Sequence, residues 1–128
     1  MLIAEPNGLY TINYDSGRKV VFQSPAGLWT KENYHEYHMQ FVNKIGPALG
    51  KKPWALCTDF RKYKLSDLGD EIKIHTEWMY ENNLQCSAVI VDSAIVKMQM
   101  NRVMDGKVPQ QAFLSEAEAE EWLKSKGF

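Results

Sequence analysis

From Gly8 to Tyr14 polar and apolar residues interleave, with Leu9 and Ile12 set among Tyr and Thr. A period of two predicts a strand over residues 9–14. Asp15-Ser16-Gly17 follows. These residues favour a tight turn, because Gly tolerates positive φ and the Asp and Ser side chains bond the local backbone. Val20, Val21 and Phe22 predict a second strand over 19–23, antiparallel to the first across a hairpin. Pro25-Ala26-Gly27 is expected to close that strand.

Beyond Thr30 the period lengthens. Thr30 is a good N-cap, and Glu32 puts a negative charge in the first turn, where the helix dipole favours it. Tyr34, His38, Phe41, Ile45 and Leu49 recur at helical spacing, so a first helix is expected to stop near Gly46-Pro47 or shortly after. Lys51-Lys52-Pro53 opens a strand over 53–59. Its residues are apolar on both faces, as in a central strand covered on both sides. Phe60 to Leu65 reads as a polar connection, and Ser66 and Asp67 are candidate caps of a second helix. The stripe of that helix is Leu68, Ile72, His75 and Met79, widened by Ile74 and Trp78, and Asn82-Asn83 ends it. A strand over 86–91 is again apolar on both faces. Asp92-Ser93 then leads into a third helix from Ala94 to about Met104, with Val96, Met100, Val103 and Met104 on its expected core face. A short strand over 111–114 comes last. A fourth helix runs from the capping box Ser115/Glu118 to about Lys126, with Ala119, Trp122 and Leu123 as its apolar side.

The order β-β-α-β-α-β-α-β-α predicts an α/β fold with a five-stranded mixed sheet. Strands two to five form a right-handed parallel βα superhelix, and strand one is antiparallel at the edge. At 128 residues the chain suits a single domain, 1–128. It has 15 basic and 16 acidic residues, a net charge of −1. That lacks the positive field nucleic-acid binding needs, so Lys51-Lys52 and Arg61-Lys62-Tyr63-Lys64 read as solvated loops and no nucleic-acid partner is expected. No apolar run approaches the roughly 20 residues of a membrane span, so no integral membrane segment is expected. The N-terminus lacks the charge and length of a signal peptide. Cys57 and Cys86 are too few for a disulfide framework. Together these predict a cytoplasmic protein with reduced, buried thiols.

Three segments carry a resemblance. Lys19-Val20-Val21-Phe22, a short turn and Gly27-Leu28-Trp29-Thr30 lead from strand to capped helix. Trp54-Ala55-Leu56-Cys57-Thr58-Asp59-Phe60 is a strand ending in Asp. Ala112 to Leu123 is a short strand followed by a helix with repeated Ala and a Trp-Leu pair. They resemble the STAS-like superfamily, the fold of the anti-sigma-factor antagonists, and in particular a bacterial branch of small, stand-alone members. The resemblance implies a non-enzymatic regulatory or protein-interaction module. Its structural kinship to lipid-exchange domains implies the alternative, a binder of a small apolar ligand. Family antagonists carry a phosphorylatable Ser just after the third strand's Asp. Here Phe-Arg-Lys-Tyr-Lys-Leu separates Asp59 from Ser66, and the plain reading of Ser66 is a helix cap.

Few residues suggest chemistry. His35 and His38 share a helix face, but His35-Glu36-Tyr37-His38 is one residue short of the His-Glu-x-x-His zinc motif, and no third ligand stands at a convincing spacing. No metal is expected, and His38 and His75 read as core or boundary histidines. Asp59 and Asp92 end consecutive parallel strands, where open α/β sheets place ligands, so with Ser66 they are the strand-end candidates. Gly-rich phosphate loops and nucleophile-base-acid spacings are absent, so neither cofactor nor catalysis is expected. In the third helix Ile95 and Met98 point away from the core face, and Ile74 and Trp78 flank the stripe of the second. With Arg102 on their polar rim, these residues are the candidate surface for a protein partner, self-association or an apolar ligand.

Overall fold

The hairpin over residues 10–25 anchors a larger sheet than the alternation suggested. The computed structural model describes residues 1–64, 67–102 and 106–128, without the side chains of Gln99, Met100 and Arg102. Ser66, Val103, Met104 and the side chain of Arg102 thus lie outside the described residues. The strands are β1 (Leu2–Ala4), β2 (Tyr10–Asp15), β3 (Val20–Leu28), β4 (Trp54–Asp59), β5 (Lys62–Lys64), β6 (Leu84–Ile90) and β7 (Gln110–Phe113). Their order is β1-β2-β3-β4-β6-β7, with β5 paired to the far end of β3. As expected, β3, β4, β6 and β7 run parallel, β2 is antiparallel to β3, and the apolar strand β4 is central.

Three expectations are corrected. Among the described residues the sheet has seven strands, not five. The first predicted strand is not an edge, because β1 pairs antiparallel beyond it. The second does not end at Pro25 but runs on to Leu28, where Ala26–Leu28 pairs parallel with β5. The proline is tolerated for a local reason. Ala26 N–H donates to Leu9 O on the β2 side, so the Pro25 nitrogen faces the opposite side, past the last β3–β4 pair, Gln23 with Thr58. Both added strands are three residues long, too short for a period of two to stand out.

The helices are α1 (Lys31–Gln40), α2 (Gly46–Leu49), α3 (Gly69–Glu81), α4 (Ala94–Arg102) and α5 (Glu116–Ser125), with a π-helical turn over Phe41–Ile45 joining α1 to α2. Thr30 caps α1 as expected, in a reciprocal box with Asn33. The first helix indeed runs slightly past Pro47, to Leu49. The π turn follows from Pro47, which supplies no N–H and whose ring would collide with the carbonyl of Asn43 in a regular helix. The preceding turn widens, and Gly46 N–H donates to Phe41 O, five residues back. The wider turn keeps Tyr37, Phe41, Ile45 and Leu49 buried in one row. Tyr34 and His38, expected in that stripe, are only half-buried.

The sheet is covered on both faces, but unevenly. Tyr37, Phe41, Ile45 and Met79 from α1, the π turn and α3 pack with Ile12, Val21, Trp54 and Leu56 on one face. On the other, Ala119 and Leu123 of α5 pack on Val20, Ala55, Cys86 and Ala88. Ser115 Oγ accepts from Glu118 N–H at 3.2 Å at the start of α5, as its spacing predicts. Burial pushes the Cys57 thiol up to about 12 and the Cys86 thiol up to about 11, so both stay protonated. Among the described residues no helix is long and apolar enough to cross a membrane.

Candidate functional site

On the face covered by α1 and α3 the packing is incomplete. α4 lies along β7, where Asn101 Oδ1 accepts from the Ala112 N–H at 2.9 Å and blunts the outer edge of the sheet. Between α3, α4 and the sheet is a cleft of about 690 Å³. Its floor is built by the alternate residues of β4 and β6 that point to this face, Leu56, Thr58, Ser87, Val89 and Val91. Ile72, His75, Thr76 and Met79 of α3 form one wall and Val96 of α4 stands opposite. Val89, Val91 and Ala112 make a small cluster of their own, against which, among the described residues, Phe60 packs.

A chain of buried polar groups crosses this apolar floor. Gln23 and Thr58 are register partners on β3 and β4. Tyr37 is buried, which pushes its phenol well above the usual range and keeps its proton in place. Tyr37 OH therefore donates to Gln23 Oε1 at 2.5 Å. That fixes the amide, whose Nε2 donates to Thr58 Oγ1 at 2.8 Å. The donations run one way, and the Thr58 hydroxyl proton at the end remains for another acceptor.

His75 lines the cleft from α3 and is 2% exposed. Its ring is tilted against Tyr37 and edge-on to Phe41, at centroid distances of 4.9 and 4.7 Å, and stacks beside Trp78. Its Nδ1 is 2.9 Å from His38 Nδ1, so one ring donates and the other accepts. Its Nε2 is buried without a hydrogen-bond partner. Burial first, and the His38 ring second, lower the His75 pKa to about 3. Burial also lowers that of His38, with His35 adding to it. Both rings are neutral at neutral pH.

Charge is confined to the rim. Arg61 follows β4 and meets Asp59 with two contacts, Nε to Oδ1 at 2.9 Å and Nη2 to Oδ2 at 2.7 Å. Its Nη2 also donates to Glu116 Oε1 at 2.9 Å. The Arg61 hydrogen bonds hold the Asp59 carboxyl below the usual range. Asp92 lines the cleft from the end of β6 and is exposed. Both strand-end acids thus sit at the carboxyl ends of parallel strands, but Asp59 is engaged by Arg61. Of the flanking residues, Ile95 is 65% exposed, Ile74 57% and Met98 52%. Trp78 is half-buried and turned to α2, its ring 3.0 Å from where a Cβ on Gly46 would lie. Among the described residues no three His, Cys, Asp or Glu side chains converge as a metal site would.

Tyr37, Gln23, Thr58 and the cleft-facing role of His75 were not singled out in the sequence. The available signal was a polar residue at an inward position of an apolar strand, which Gln23 and Thr58 both are.

The sheet order, two antiparallel pairings before the parallel run, and helices on both faces match a SpoIIAA-like fold, the STAS-like architecture. A crystallised protein from Shewanella loihica, described as an uncharacterised member of the DUF3478 family with a SpoIIAA-like fold, superposes with a TM-score of 0.64 over 89% of this chain and 93% of its own, at 16% identity. No family model matches the sequence. No curated protein matches it either.

Proposed function

We propose that this chain is a non-enzymatic binding module whose cleft between α3, α4 and the sheet takes a small, largely apolar molecule. The observation that carries the reading is the unfilled cleft itself. Protein interiors are packed like organic crystals, with few voids larger than a water molecule. A space of about 690 Å³ floored by Leu56, Val89 and Val91 departs from that and falls within the range of small-molecule sites. The non-enzymatic part is supported by the neutral interior and by the engagement of Asp59 with Arg61.

A second reading, a regulatory module docking a protein partner, is favoured by the exposed Ile74, Ile95 and Met98. Native mass spectrometry of the protein purified from cells separates the two. A retained molecule of a few hundred daltons, lost in Val89→Trp and in Thr76→Trp, is the expected result. Both variants fill the cleft, one from the floor and one from the wall, and circular dichroism checks their fold. A co-purifying protein or a dimer that disappears in Ile95→Glu/Met98→Glu, with no small molecule in any preparation, would replace the first reading by the second.

A further inference from the structure

The cleft is lined by His75, whose ring keeps a buried nitrogen, Nε2, without a partner, and among the described lining residues no cation is unengaged, while Asp92 adds a carboxylate at the rim. A buried donor or acceptor left unmade is costly, and a ligand atom reaching it would remove that cost. The role of Nε2 follows the direction of the His38–His75 bond. If His38 donates, Nε2 carries the proton and offers a donor; if His75 donates, Nε2 is an acceptor. A ligand hydroxyl satisfies either arrangement and a carbonyl the first. The spare proton of Thr58 offers a second donor on the same floor.

Charge decides against an anionic ligand. Among the described residues the cation that lines the cleft, Arg61, is held by Asp59 and Glu116 at the exposed rim, and the Asp92 carboxylate on the same lining would repel an anion. A carboxylate pushed into this space would leave water for no compensating charge. Shape points the same way as polarity. Trp29, Tyr34, Tyr37, Phe60, Tyr63 and Tyr80 all line the cleft, and aromatic walls favour rings met edge-on or offset.

Resting on the reading of the cleft as a ligand site, we infer that its ligand is an uncharged ring compound bearing a hydroxyl or carbonyl oxygen, and that this oxygen pairs with His75 Nε2. Equilibrium dialysis of the full chain against naphthalene, naphthol and naphthoate tests it. Naphthol is expected to bind about tenfold more tightly than naphthalene, the scale of one net hydrogen bond, with naphthoate the weakest. His75→Phe keeps a ring of similar size and should erase the preference for naphthol over naphthalene. His75→Gln, which returns an amide near the lost nitrogen, should restore part of the preference. If naphthol and naphthalene bind the wild type equally, or His75→Phe keeps the preference, the inference is overturned while the cleft remains a ligand site. If none of the three binds, the ligand-site reading fails and takes the inference with it.

Discussion

His75 shows how one side chain links stability to pH. Its folded-state pKa is lowered to about 3, by burial first and by His38 second, against an ordinary value near 6.5. Below pH 6.5 the unfolded chain takes up a proton that the folded chain refuses, so the unfolded state gains. The stabilisation from keeping this ring neutral is thus fully present above pH 6.5 and is lost as pH falls toward 3. While only the unfolded ring is charged, one histidine contributes a slope of about 1.4 kcal/mol per pH unit. Asp59, with its lowered pKa, works in the same direction at more acid pH. Thermal melts from pH 7 to pH 4 should show a falling melting temperature, and His75→Phe should flatten the upper part of that fall. The same variant at pH 7 removes the unpartnered Nε2 but also gives up the Nδ1 bond to His38, two opposed effects of about 1 kcal/mol each, so it should melt close to wild type. An unflattened profile would mean that His75 is not the residue responsible.

At the scale of elements, the rod from α1 through the π turn to α2 packs against α3 and braces that wall of the cleft. Gly46 is where the rod meets α3. A Cβ there would stand 3.0 Å from a Trp78 ring carbon and 3.1 Å from the Phe41 carbonyl oxygen. Its φ of −53° suits any residue, so helix propensity alone would favour Gly46→Ala by about 1 kcal/mol. The contact is partly with backbone, which cannot swing aside, and overpacking of this kind costs about 1–3 kcal/mol. Denaturant melts of Gly46→Ala should therefore show a net loss of stability; a gain would mean that Trp78 moves freely. Elements with strong local signals were legible in the sequence: the Thr30 and Ser115 caps, the Asn82-Asn83 stop, and the doubly buried strands β4 and β6. The re-phased row through Tyr37 was not, because Pro47 acts on the turn before it and shifts which residues face inward. Nor were β1 and β5, which exist through pairing to β2 and β3 rather than through any pattern of their own. The cleft follows from helix placement, which periodicity does not carry; of its parts only the rim residue Asp92 was a candidate site in the sequence, while Ile72, His75, Met79 and Val96 read there as core positions.

The whole molecule is asymmetric. α5 seals one face with a layer of Ala119 and Leu123 on Ala55, Cys86 and Ala88, while on the other face α1, the π turn and α3 pack on Trp54, Leu56 and Leu84. The remaining floor, Val89, Val91 and Ala112, forms a separate cluster against which, among the described residues, Phe60 packs. That uneven coverage is what leaves room for a ligand, and it separates the interior site from the exposed residues Ile74, Ile95 and Met98. The central claim is that the cleft takes up a small uncharged molecule. The most direct test is a titration of the isotope-labelled protein with naphthol, followed residue by residue through its backbone amides by NMR. Saturable shifts concentrated at Leu56, Thr58, Thr76, Ser87 and Val89 are the predicted result. Shifts confined to Ile74, Ile95 and Met98, or no saturable shifts at all, would contradict it.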